Sequence, residues 1–202
     1  MAYNRQMSNI LQMSDYELAY EQLSRDLLFY KIPSEQVEYY VNTAMDIGAE
    51  AAEQYQSKDI CELCTENGVF IEISNRSGKF LGTRMRAEIH MKDDENKIIL
   101  YQQSIDDIAK AVLDCLPCEQ QLSEDKIRKM HIAHEFFHFI EHRNDCCVNE
   151  MLPKVVIFRI LGLQRKASIL TLSEVAAHSF SKRLLALPHY PYLYDKLYAL
   201  FL

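Results

Sequence analysis

His134, Glu135 and His138 stand in the run His-Glu-Phe-Phe-His. On a helix, positions four apart lie on one face, one turn from each other. Two imidazoles so placed can hold one Zn²⁺ at roughly 2.0–2.1 Å each. Glu135, next to His134 on the same side, is not a ligand in this arrangement. Its carboxylate can take a proton from an activated water and return it to a leaving amine. The chemistry these types and spacing suit is metal-assisted hydrolysis, with Glu135 as the catalytic group. With seven histidines in 202 residues, such a run would arise by chance in roughly one or two chains per hundred, so its surroundings must support it. They do: Phe136, Phe137, Phe139 and Ile140 supply apolar faces that would bury the helix. Two histidines and a glutamate are costly in a central helix unless paired or bound to metal.

A catalytic zinc site usually has three protein ligands and one open position. In a continuous helix His142 lies about 12 Å along the axis from His134, too far to share one ion. A glycine could bend the chain between them, but none occurs from His134 to Leu161. His131 lies a turn before His134 and fails for a related reason. Both are read as supporting or surface residues. A carboxylate from another helix suits better, and Glu174 is a candidate. Thr171 or Ser173 could cap its helix, and Ala176 and Ala177 would let that helix approach the motif helix closely. Asp145 and Glu150 are rivals, and a first-turn glutamate that only complements the helix dipole is the plain alternative for Glu174.

The elements that must position these groups follow from periodicity and caps. Ser14 with Glu17 makes a capping box before a helix through Leu28. Ser34 can cap a second helix running to about Gln56. A shorter helix from about Ser57 should stop at Asn67-Gly68. Val69–Ile73, Met85–Met91 and Lys97–Tyr101 read as strands, with a loop over 75–82 and a turn at Asp93-Asp94-Glu95-Asn96. These predict a small, three-stranded antiparallel sheet. Ser104 can cap Ile105–Leu113, and Ser123-Glu124-Asp125 opens the motif helix, which runs to about His142. Glu174–Leu187 forms another helix, stopped by Pro188, and Tyr192–Phe201 a last one. The fold class is therefore α+β, mostly helical, read as one domain over 1–202. Residues 1–33 are read as an N-terminal helical extension.

The net charge of −7 argues against direct nucleic-acid binding, which needs a basic face. No apolar stretch in Met1–Asp15 suits a secretory signal, and Val155–Leu163 is too short and too interrupted by Arg159 to span a bilayer. A cytoplasmic protein without membrane contact is expected, with its six cysteines reduced. Cys61-x-x-Cys64 and Cys115-x-x-Cys118 could together bind a structural zinc, but no glycine knuckle accompanies either pair. Packing as small apolar residues is the favoured reading. Cys146-Cys147 has no base placed beside it by sequence. Of Tyr190, Tyr192, Tyr194 and Tyr198, any one could stabilise an oxyanion, though packing is the ordinary role.

Met130-His131-Ile132-Ala133-His134-Glu135-Phe136-Phe137-His138, followed by Glu174-x-x-Ala177-His178-x-Phe180-Ser181-x-x-Leu184-Leu185-x-x-Pro188, resembles the ImmA/IrrE family of metallopeptidases over roughly residues 35–190. The resemblance implies a zincin-like core over 34–190. It also implies Zn²⁺ held by His134, His138 and Glu174, with Glu135 as general base. It further implies a protein substrate: a helix-turn-helix repressor of a mobile element or stress locus, so that the peptidase regulates transcription. A non-proteolytic, zinc-containing regulator that acts by binding a partner is the alternative. Two residues depart from the family's pattern. His178 stands where Asn is usual and could support the zinc ligands or an oxyanion. Phe137 stands where Gly is common and would narrow the cleft. The longer stretch between His138 and Glu174 includes Val155–Leu163, an extra strand or helix expected to cover the site.

Overall fold

The computed structural model describes residues 2–56, 58–80, 83–92 and 95–201. Nine helices and seven strands are found among them. Helices α1 (Ala2–Leu11), α2 (Asp15–Leu23), α3 (Val37–Glu53) and α4 (Ile60–Glu66) come first. Ser14 caps α2 through the reciprocal box with Glu17, as its sequence requires. Ser34 does not cap α3. It opens a single 3₁₀ turn, and its hydroxyl turns to Glu35. Asp59 caps α4 by accepting from the Cys61 N–H, and Gly68, at φ 69°, ends the segment in the left-handed region that a residue without Cβ adopts freely. Ser57, the expected start of α4, lies outside the described residues.

Strands β1 (Val69–Ser74), β4 (Ala87–Lys92) and β5 (Glu95–Tyr101) form a sheet in the order β1-β5-β4. The loop expected over 75–82 contains β2 (Lys79–Phe80), paired with β3 (Thr83–Arg84), while Leu81 and Gly82 lie outside the described residues. The sheet is mixed rather than antiparallel. β4 runs antiparallel to β5, with Ile89 opposite Ile98, but β1 runs parallel to β5, with Ile71 opposite Ile98. Burial explains the order. β5 carries Ile98 and Leu100, both fully buried, and takes the centre. β4 alternates with Glu88, His90 and Lys92 and suits an edge. Of the turn expected at 93–96, Asp93 and Asp94 lie outside the described residues, and Glu95 and Asn96 already belong to β5.

Helix α5 (Gln102–Cys115) continues directly from β5, so it starts before the expected cap. Ser104 sits inside the helix and reaches the Ser77 carbonyl. Helix α6 (Glu124–Arg143) carries the motif and begins at Ser123, whose hydroxyl accepts from the Lys126 N–H. It is buried on most of its circumference, by Ile127, Met130, Ile132, Ala133, Phe136, Phe137, Phe139 and Ile140. The short α7 (Val148–Met151) leads into a hairpin of β6 (Val155–Ile160) and β7 (Leu163–Ala167). Helices α8 (Thr171–Leu185) and α9 (Tyr192–Ala199) close the chain.

Two contacts lock the helical layer around α6 and α8. Phe136 and Phe180 both meet Tyr55 edge-on, and Phe137 packs on Phe180 at 5.3 Å between centroids. Gly48 of α3 lies so close to α8 that a Cβ there would stand 2.1 Å from the Ala176 carbonyl oxygen. Ala176 thus serves the approach of α8 to α3, where the sequence reading assigned it to the motif helix. The segment read as an N-terminal extension is part of this core: Leu18, Ala19 and Leu23 of α2 are fully buried. Asp26, just after α2, accepts from the Thr171 N–H and so caps α8 from a distance, a task expected of Thr171 or Ser173. Among the described residues, no helix is long and apolar enough to cross a membrane.

Candidate metal centre

α6 presents His134 and His138 one turn apart, and α8 brings Glu174 against them from its first turn. His134 Nε2 lies 3.1 Å from Glu174 Oε2, and His138 Nε2 lies 3.3 Å from Glu174 Oε1. The two Nε2 atoms are 3.2 Å apart. Among the described residues, these three form the set of potential ligand atoms that converge on one point. A tetrahedral ion with bonds of 2.0–2.1 Å requires donor separations of about 3.3–3.4 Å. The two Nε2 atoms, and each Nε2 with one of the two Glu174 oxygens, meet that requirement within about 0.2 Å, the carboxylate turning one oxygen to each ring. Asp145 and Glu150, the rival acids, are not part of it; Glu150 is engaged by Lys154 and Ser168.

Charge holds the triangle together. Burial pushes the Glu174 carboxyl up, but hydrogen bonds to His134 and His138 outweigh it and hold the group well below the usual carboxylate range. Burial would likewise favour neutral His138, yet Glu141 and Glu174 carry its value up to about 10. Three donors that share protons at these distances are donors a cation can claim by displacing those protons.

Glu141 is the site residue that sequence reasoning missed. Its Oε2 lies 2.8 Å from His138 Nδ1, while its Oε1 accepts from the Val148 N–H at 2.8 Å and the Ser173 hydroxyl at 2.8 Å. The side chain is buried, and a buried carboxylate with three partners is a fixed point. Accepting the Nδ1 proton leaves Nε2 of His138 as the lone-pair donor, the arrangement metal-ligating histidines usually show. The signal available in sequence was only its place three residues after His138, on the same helix face.

A cleft of about 280 Å³ opens beside this cluster, lined by Glu135, His131, His178, Arg86, Asp195 and Tyr192 with the candidate ligands His134 and Glu174. Burial raises the Glu135 carboxyl, partly countered by His134 and His138. The backbone of Ile89 in β4 stands next to that carboxyl, and Ala87 of the same strand lines the cleft. His178 packs its ring 4.7 Å from that of His134, and its Nδ1 is 3.0 Å from Gln22 Oε1. Burial lowers the value of His178 well below the ordinary one and that of His131 to about 3, so both rings are neutral. His142, by contrast, is exposed and does not line the cleft.

Of the four tyrosines, Tyr192 reaches the cleft. Tyr190 is buried against Gln22 and the Val175 carbonyl, and Tyr198 accepts from Arg84. Phe137, expected to narrow the cleft, instead faces the core. The β6–β7 hairpin does not cover the site. Its outer residues from Phe158 to Lys166 are exposed, and none of them lines the cleft. Cys61, Cys64, Cys118, Cys146 and Cys147 are free thiols. Burial drives the Cys64 thiol up to about 12, which suits an inert packing residue. No four-cysteine cluster forms among the described residues.

No protein family, curated protein or solved structure matches this chain.

Proposed function

We infer that the chain is a metal-dependent peptidase, with Zn²⁺ held by His134, His138 and Glu174 and with Glu135 as the acid–base group. The observation that carries this reading is the convergence of two imidazole Nε2 atoms and the Glu174 carboxylate, with contacts of 3.1–3.3 Å, and the half-buried Glu135 carboxylate beside them on the same helix. A bound Zn²⁺ supplies Lewis acidity that polarises a carbonyl and acidifies water.

The chain's own residues account for the remaining requirements. Glu135 accepts the proton of the attacking water, and delivers it to the amine nitrogen as the C–N bond breaks. Glu141 fixes the orientation of His138, and His178, itself held by Gln22, packs against His134. Position within a fraction of an ångström is what such a site needs. β4 is an edge strand: β5 pairs with one side of it, and no other strand pairs with it among the described residues. An extended polypeptide could add to that free side and pass over Glu135, with backbone hydrogen bonds fixing its register.

The resemblance to the ImmA/IrrE pattern extends the proposal to the substrate, a DNA-binding repressor. The test is Glu135→Gln. It should bind zinc as the wild type does, while cleavage of a polypeptide substrate falls by about 10²–10⁴-fold. Wild-type cleavage by this variant would refute Glu135 as the proton carrier. Retained regulatory activity without cleavage would favour the non-proteolytic reading.

A further inference from the structure

The β6–β7 hairpin follows a charge rule opposite to that of the rest of the chain. Residues 152–168 contain Lys154, Arg159, Arg165 and Lys166 and no Asp or Glu. Elsewhere, the remaining 18 Lys and Arg face all 29 Asp and Glu. Lys154 pairs with Glu150 at the hairpin base, whereas Arg159, Arg165 and Lys166 have no ion pair among the described residues.

The outer end of the hairpin is apolar on its exposed surface. Ile160 pairs with Leu163 across a two-residue turn of Leu161 and Gly162. Phe158, Ile160 and Leu163 fall on one face by the alternation of the strands, and each exposes more than half its surface. Leu161, at the apex, is 97% exposed. Its φ is 47° and that of Gly162 is 81°. A turn with both central residues at positive φ selects Asn, Asp or Gly. A leucine there is strained and gains nothing from packing, so neither folding nor solubility accounts for it.

We propose that this hairpin docks the protein on an anionic lipid surface. The apex leads along the hairpin axis, so Leu161 and its neighbours Ile160 and Leu163 would enter the boundary between headgroups and acyl chains. Arg159, Arg165 and Lys166 stand one to three residues behind, at the depth of the phosphates. A protein partner offering a groove would use one face of the hairpin and would leave the apex in water. Val155 is buried in the body and the exposed part of β6, Phe158–Ile160, adds about 10 Å of extended chain before the turn, more than the screening length of about 8 Å at physiological salt, which weakens repulsion between the acidic body and the surface. The sequence reading excluded a membrane span and expected no membrane contact; the hairpin reverses the second expectation only. The inference is independent of the metal centre.

The experiment is cosedimentation of the full chain with vesicles of phosphatidylcholine, with and without about 30 mol% phosphatidylglycerol. The wild type should partition onto the anionic vesicles, and do so about tenfold or more weakly onto phosphatidylcholine alone or at about 0.5 M salt. Leu161→Asp suits the positive φ and so keeps the turn, yet should weaken binding about tenfold or more. Arg165→Glu tests the charges separately, and thermal unfolding checks that both variants remain folded. Failure of the wild type to bind either vesicle would overturn the proposal, as would wild-type binding by both variants. Capture of polyglutamate without vesicle binding would also overturn it, and would reassign the hairpin to an acidic protein.

Discussion

The α6–α8 layer and the β6–β7 hairpin are built on opposite terms. In the first, each candidate ligand is over-determined: Glu141 fixes His138, His178 packs on His134, and Glu174 lies between both imidazoles. Phe136, Phe137 and Phe180 seal the floor beneath them. In the second, two strands pair only with each other among the described residues, and from Phe158 onward every residue through Lys166 is exposed. A two-stranded ribbon of this kind is marginal alone. The difference suits the two kinds of work proposed for them. Hydrolysis needs atoms held to a fraction of an ångström, whereas contact with a soft, variable surface needs only exposed apolar area and charge.

The contrast can be broken first at Gly48. Gly48→Ala forces a Cβ into the Ala176 carbonyl, where backbone cannot yield cheaply. The expected loss is about 2 kcal/mol or more, read by urea unfolding, with weaker metal binding because α8 must shift. A change near zero would show that the helical layer is not rigid. Next comes Glu141→Gln. One amide oxygen cannot serve His138, Val148 and Ser173 together, so metal affinity should fall by about 10–100-fold with the fold retained. Affinity equal to wild type would remove Glu141 from the site. The smallest effect is expected at Leu161→Asn, which suits a positive φ. It should slow amide exchange in β6 and β7 several-fold, worth about 1 kcal/mol locally, and leave the metal centre untouched. Unchanged exchange would mean that the apex is not strained.

What could be read from the sequence depended on how local its cause was. Helix α6, the pairing of His134 with His138, the Ser14–Glu17 box and the stop at Gly68 arise from residues within a turn or two of each other. Glu174 could be nominated only as one of several acids until α8 was seen to return to α6. Glu141 looked like any exposed helical glutamate; Val148 and Ser173, which give it its role, come from beyond the end of α6. The sheet order was beyond reach because alternation sets which face a side chain takes, and not which strand lies beside which. Ser34 and Ser104 were misread as caps because a serine before an apolar run says nothing of where the preceding element ends. In the second case β5 passes into α5 without a break.

The proposed function requires one divalent ion to be held by His134, His138 and Glu174. Zinc titration of chelator-stripped protein by calorimetry, in wild type and in Glu174→Ala, tests it most directly. One ion per chain is expected in the wild type, and affinity lower by about 100-fold or more in the variant, since a three-ligand site is left with two. Absence of binding to the wild type, or undiminished binding to Glu174→Ala, would contradict it.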